Sequence, residues 1–152
     1  MAAKKLSEFT TIIRSLKQSG RESEVETRFV VPLIQHLGYN GEDFKDKVSL
    51  KGTGEADFVC YVDQIPNLVI EAKSNTVNLS DPSAKTYLEA KFQLFAYMRS
   101  DGLIEVPYGL LINGKNAQVF QRKKKVIFPP VSYTHLRAHE TKANLVCRLL
   151  LE

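Results

Sequence analysis

The sequence predicts an α/β domain in which helices flank a mixed central sheet, an antiparallel meander joined to a parallel strand through a crossover helix. Three observations predict it. Glu55 to Val62 alternates Asp57, Val59 and Tyr61 against Ala56, Phe58 and Cys60, the period of a half-buried strand. The turn stretches on either side, Lys51-Gly52-Thr53-Gly54 and Asp63 to Asn67, are short enough to join antiparallel neighbours. A long helical stretch, Ala84 to Ser100, then leads to Val106–Ile112, whose unbroken hydrophobicity suits a sheet centre.

The remaining elements follow in chain order. Leu6, Phe9, Ile13 and Leu16 have helical spacing, and Gly20 ends that segment. Ser23 and Glu26 have the spacing of a capping box, with Ser23 as N-cap and Glu26 at N3 of a second helix. The core face of that helix reads Val30, Leu33 and Leu37, with Phe29 and Ile34 beside it, and Gly38 is its C′ residue. Pro32 lies inside it and should bend it near Arg28, whose carbonyl loses its partner. Phe44 to Leu50 is read as the first strand. Leu68-Val69-Ile70 is a buried strand running into Glu71-Ala72-Lys73, and Asn75 to Ser83 is a polar loop. Gly102 stops the long helix. Asn113-Gly114 is a hairpin signal, with Asn116 to Arg122 as the return strand and Lys123 to Phe128 as a further edge strand.

Composition narrows the class of protein. A chain of 152 residues, 43% hydrophobic and 25% charged, has the size and balance of one soluble globular domain. No apolar run is long enough for a membrane span, and the N-terminus lacks the apolar stretch of a signal peptide. Cys60 and Cys147 are far apart and form no CxxC pair, which argues against a zinc site or a disulfide framework and suits a reducing cytoplasm. The net charge of +4 permits binding to a polyanion without requiring it. The run Arg122-Lys123-Lys124-Lys125 reads as a solvated edge.

Residues 131–152 stand apart. Val131-Ser132-Tyr133-Thr134-His135-Leu136-Arg137-Ala138-His139-Glu140-Thr141 resembles a translated sequencing-adapter sequence. The chain is therefore divided into a body, residues 1–130, and a non-native tail, residues 131–152. His135 and His139 have the spacing of two ligands on one helix face, but they fall in this tail and no HExxH pattern surrounds them.

The chemistry is expected where the meander ends. Glu71 and Lys73 share a strand face because the strand period is two, and the preceding antiparallel strand carries Asp57. Two carboxylates and a backbone carbonyl, that of Ala72, make an oxygen site suited to Mg²⁺, with Mn²⁺ as a substitute. Lys73 stands where it can orient a water and stabilise charge on a phosphate. Together these supply what phosphodiester hydrolysis needs. An acid two residues before a lysine also occurs at Asp43-Lys45, Glu89-Lys91 and Glu140-Lys142, so the spacing alone is uninformative. Only Glu71 ends a buried strand that follows another strand bearing an acid. The competing reading makes Glu71 and Lys73 ordinary strand-end charges.

Asp57, thirteen intervening residues and Glu71-Ala72-Lys73 resemble the PD-(D/E)xK nuclease signature. More specifically, the body resembles the N-terminal nuclease domain of type I restriction enzyme R subunits. The matching pieces are Ser23-Glu24-Val25-Glu26-Thr27-Arg28, the helix ending from Pro32-Leu33 to Leu37-Gly38-Tyr39, Ala56-Asp57-Phe58, Leu68 to Lys73, and Gln93-Leu94-Phe95-Ala96-Tyr97, which fits that family's QxxxY motif. Ala56 stands where the family often has proline. The resemblance implies a restriction-endonuclease-like core and a Mg²⁺-dependent endonuclease acting on DNA in a defence system. It implies Asp57, Glu71 and Lys73 as catalytic residues, Glu24 as an additional acid near the metal, and Arg28, Gln93 and Tyr97 as nucleic-acid contacts. Glu24 with Arg28 could equally be an exposed helix pair, and Tyr97 with Gln93 a core residue and its rim. Motor, specificity and methyltransferase components are the implied partners. No GxxxxGK[ST] phosphate loop occurs, so this chain alone is not expected to hydrolyse ATP. Two other readings fit the same residues: a catalytically silent nucleic-acid-binding module, and a nuclease acting on RNA or branched DNA.

Overall fold

A computed structural model of the chain describes Thr11, residues 20–123 and residues 126–127. The expected helix Leu6 to Gln18, apart from Thr11, and the whole of residues 131–152 lie outside the described residues.

The described chain opens on a helix in three parts: α1 (Glu22–Val25), a π-helical stretch (Glu26–Val30) and α2 (Val31–His36). The π stretch lies just ahead of Pro32. The proline has no N–H to continue the regular ladder, and the widened turn places the Val31 N–H on the Glu26 carbonyl. The expected bend near Arg28 is thus met by a change of helix type. The start of the helix differs from the expectation by two residues. Arg21, not Ser23, is the N-cap, and its N–H donates to Glu24 Oε2 at 3.3 Å, so Glu24 is the capping acid at N3. Ser23 already lies in the first turn, where its carbonyl accepts the Thr27 hydroxyl at 2.8 Å. Gly38, at φ 89°, takes the left-handed position that ends α2.

Six strands follow in spatial order β1-β2-β3-β4-β5-β6, a mixed sheet of the restriction-endonuclease-like kind. They are β1 (Phe44–Leu50), β2 (Gly54–Val62), β3 (Ile65–Ala72), β4 (Tyr108–Ile112), β5 (Ala117–Lys123) and the two-residue β6 (Val126–Ile127). β1, β2 and β3 form the antiparallel meander, β3 and β4 are parallel, and the connection between them carries α3 (Lys85–Arg99). The turn after β2 is shorter than expected. Asp63 and Gln64, at φ 50° and 66°, make a tight two-residue hairpin, and Pro66 enters the strand beside a bulge at Cys60/Tyr61. At the β4–β5 hairpin the Asn113 side chain accepts the N–H groups of Lys115 and Asn116, so an Asx turn makes the reversal.

Both faces of the sheet are covered. On one, Val25, Phe29, Val30, Leu33 and Ile34 of the first helix pack on Phe58, Cys60, Leu68, Ile70 and Leu110. On the other, Tyr87, Leu94, Tyr97 and Met98 of α3 pack on Val59, Val69, Leu111 and Phe120. Burial on both faces is why β3 and β4 carry the continuous apolar runs Leu68-Val69-Ile70 and Leu110-Leu111-Ile112. Arg122, the first member of the basic run, is tied inward. It donates from Nε to the Val106 carbonyl at 3.0 Å and from its guanidinium to that of Met98.

Candidate active site

The β2–β3 ladder runs as far as Phe58↔Ile70. Continued by one residue it would set Asp57 against Glu71, but no such pair forms. Asp57 Oδ2 instead accepts the Ala72 N–H at 2.8 Å. Glu71 lies two residues from Val69, which packs on the α3 side. Asp57 sits between Ala56, packed on that side, and Phe58, packed on the other, so the alternation of β2 breaks at Asp57, whose carboxylate lies beside Glu22 and Glu26 of the first helix. β3 keeps its parallel partner: Ala72 pairs with Ile112, and the Lys73 N–H donates to the Ile112 carbonyl at 2.8 Å. The following loop is pinned by the β4–β5 hairpin, through Gly114 N–H to Asn75 Oδ1 at 2.7 Å and Asn113 Nδ2 to the Val77 carbonyl at 2.9 Å. Asn75 N–H in turn donates to the Gly20 carbonyl at 2.9 Å, which holds the approach to α1 close to the end of β3.

That approach brings acids the sequence reading did not select. Ligand oxygens of Glu22, Glu26 and Asp57 lie within 4.8 Å of one another. Glu22 and Glu26 are one turn apart on the helix, whereas Glu24 is taken up by its cap on Arg21. Two lysines link helix acids to sheet acids. Lys73 Nζ is bonded to Glu71 Oε1 and stands 4.0 Å from Glu22 Oε2. Lys47 Nζ lies 2.7 Å from both Glu26 Oε1 and Asp57 Oδ1. Lys47, like Glu22 and Glu26, was missed. The only sequence signal for the two glutamates was their helical spacing. Lys47 gave none beyond its place in a charged strand.

Electrostatics follow from burial. The Glu71 side chain is 2% exposed, and burial, reinforced by the Asp57 charge and opposed by Lys73, pushes its carboxyl up to about 8. Its Oε2 has no hydrogen-bond partner among the described residues. Burial raises the Glu26 carboxyl too, with the Lys47 bond pulling the other way. Burial is the largest influence and alone would favour a neutral Lys73 amine, but the bond to Glu71 and the charges of Glu71, Glu22 and Asp57 together outweigh it and hold the group above its ordinary value.

The other expected contacts divide. Tyr97 is buried, and its hydroxyl accepts from Gln93 Nε2 at 2.6 Å. Burial raises the Tyr97 hydroxyl, and the charges of Glu71 and Asp57 add to that rise, so the pair borders the site. Arg28 is exposed and makes no ion pair with Glu24 among the described residues. The Ala72 backbone lies at the site through its N–H.

A mixed sheet whose central strands part around two acids and a lysine belongs to the restriction-endonuclease-like class of fold. Residues 21–132 match the family described as Type I restriction enzyme R protein N terminus (HSDR_N), and the chain belongs to that family. No curated protein and no solved structure matches it. No helix among the described residues is long and apolar enough to cross a membrane.

Proposed function

We propose that this domain is a divalent-cation-dependent endonuclease that hydrolyses DNA phosphodiesters within a type I restriction system. The observation that carries the reading is Glu71 Oε2, a buried carboxyl oxygen without a partner among the described residues, beside a carboxylate and a lysine. A buried polar atom left unpaired is costly, and a hard cation is the partner that an all-oxygen donor set suits best. The residues present fit such an ion. Asp57, Glu71 and the Ala72 carbonyl would hold it, and Glu22 and Glu26 would supply further carboxylates beside Asp57. This takes the place of the role expected of Glu24, whose carboxylate caps the helix.

When bound, Mg²⁺, or Mn²⁺ in its place, polarises the phosphate and lowers the pKa of a water. Lys73 stays protonated beside Glu71 and offers its remaining N–H groups to the attacking water and to the charge developing on the phosphate. Gln93, held by Tyr97, and the exposed Arg28 contact the DNA backbone and set its position. Motor, specificity and methyltransferase components supply translocation and sequence recognition, and the cytoplasm is where they would meet this chain.

The test pairs calorimetric Mg²⁺ binding with plasmid cleavage, partner subunits being supplied if the chain alone is inert. Glu71→Ala should lose both binding and cleavage. Lys73→Ala removes no ligand, so binding should survive while cleavage falls by roughly 10²- to 10³-fold. A Lys73→Ala protein that cleaves like the parent refutes the mechanism. A parent that binds no divalent cation at millimolar concentration, even with DNA, supports a silent DNA-binding module instead.

A further inference from the structure

Lys47 lies in the middle of β1, bracketed by the pairs Asp46↔Phe58 and Val48↔Ala56, which sets it directly across from Asp57. Its φ of 47° is in the left-handed region, uncommon for a lysine in a strand and maintained only where the surroundings over-determine it. What holds it is visible: the ammonium bridges Glu26 Oε1 and Asp57 Oδ1 at 2.7 Å each. Asp57 Oδ2 already accepts the Ala72 N–H and Oδ1 accepts the Lys47 ammonium, so each oxygen has part of its acceptor capacity taken, and on Oδ1 it is Lys47 that takes it. A lysine ammonium is a compact point charge, the side-chain group closest in kind to a small cation.

Charge bookkeeping agrees. Glu22, Glu26, Asp57 and Glu71, when ionised, face the two ammoniums of Lys47 and Lys73, and two negative charges remain, the complement of one divalent ion. The buried, unpartnered Oε2 of Glu71 is a separate sign that the cluster awaits a ligand. Lys47 is also the more exposed of the two lysines, with 44% of its side chain accessible against 16% for Lys73, so it has solvent to swing into.

We propose that Lys47 is a built-in counter-ion of this site: its ammonium holds the place between Glu26 and Asp57 that a divalent cation contends for, so that cation binding is an exchange whose affinity Lys47 sets. The proposal rests on the cation-dependent reading above. It makes Lys47 a positioning residue, holding the acids in order before the ion arrives and leaving Asp57 when it does.

The experiment is calorimetric titration of the full chain with Mn²⁺ alone, comparing the parent with Lys47→Met and Lys47→Arg. Loss of two half-exposed ion pairs that compete with the ion should make Lys47→Met bind Mn²⁺ more tightly, by roughly two- to thirtyfold. Lys47→Arg keeps the charge and should stay near the parent. The thermal midpoint gives a second readout: Lys47→Met should melt lower than the parent without metal, and saturating Mn²⁺ should close the gap. A Lys47→Met chain that is unfolded alone but folds on adding Mn²⁺ supports the exchange, and one that stays unfolded in Mn²⁺ overturns it. A parent that binds Mn²⁺ and a folded Lys47→Met that binds it no better also overturn the proposal, leaving the cation-dependent reading intact. If neither protein binds Mn²⁺, that underlying reading fails and the proposal fails with it.

Discussion

Asp57 and Ala72 are joined by a side chain where a strand ladder would use the backbone: Asp57 Oδ2 accepts the Ala72 N–H at 2.8 Å, one step past the last β2–β3 pair. The aspartate thus stabilises the parted strands as well as offering an oxygen to the site.

These two tasks are separable by substitution. Asp57→Asn keeps an acceptor for the Ala72 N–H but removes the charge, so it should fold close to the parent and lose divalent-cation binding. Asp57→Ala also leaves a buried N–H unpaired, which costs about 1–3 kcal/mol. Urea denaturation should therefore rank the proteins parent, Asn, Ala, while calorimetry finds both variants unable to bind the ion. Equal stability for the two variants would show that the Ala72 bond contributes nothing.

The pH dependence follows from Glu71. Its carboxyl rises from an ordinary 4.5 to about 8 in the folded protein. A raised carboxyl means that the folded state carries a proton the unfolded state has lost. That contribution to stability is complete below the unfolded value and is lost as pH rises through about 8. The metal-free thermal midpoint should therefore decline from mildly acidic pH toward about pH 9. Cation binding requires the carboxylate, so near neutral pH it should release a proton, and less so above about pH 8. Calorimetry in buffers of different ionisation enthalpy measures that release. A binding enthalpy independent of buffer at neutral pH would contradict the assignment.

At Gly109 of β4, side chains of α3 lie against the sheet backbone. A Cβ there would meet Met98 Sδ at 2.6 Å and the Leu94 methyls at 3.2 and 3.4 Å. Gly109→Ala should destabilise the domain by about 1–3 kcal/mol through overpacking. Because α3 also carries Gln93 and Tyr97, DNA affinity should fall along with the denaturation midpoint. A variant as stable as the parent would show that α3 shifts to absorb a methyl at no cost.

Residues 131–152 resemble translated adapter sequence, and the family match ends at residue 132. A chain ending at Pro130 should therefore melt within a degree or so of the full chain, since a segment that was not selected for a fold should add little to it. Differential scanning calorimetry of the two chains decides it. A large drop on truncation would mean that the tail packs as a real element.

Most of the architecture was legible because periodicity reports burial. The alternation in β2, the apolar run of β4 and the long helix between β3 and β4 were each found near their observed places. The beginning of β3 was not. Pro66 reads as a turn residue, yet a bulge accommodates it in the strand, and the reversal uses Asp63 and Gln64 at positive φ without any glycine. In the site, Asp57, Glu71 and Lys73 could be placed together because the first two sit on neighbouring strands and Lys73 directly follows the second. Glu22, Glu26 and Lys47 could not, because their convergence depends on how the first helix leans over the sheet end, a tertiary relation with no local pattern. Glu24 differs from its neighbours in phase: it lies two residues from either, and its carboxylate caps the helix at Arg21.

Phase is also what the π-helical stretch Glu26–Val30 controls. A regular helix turns about 100° per residue and ties every side chain to one continuous stripe. A widened turn holds one residue more, so the halves on either side of it obey separate clocks. The rear half can keep Leu33 and Ile34 in the core while the front half, with Glu26 where the widened turn opens, sets Glu22 and Glu26 beside Asp57. Excising one residue from that stretch would merge the two clocks. The front half would swing its acids about a quarter of a turn away from the strand ends, and Pro32 would again face a regular ladder that it cannot continue.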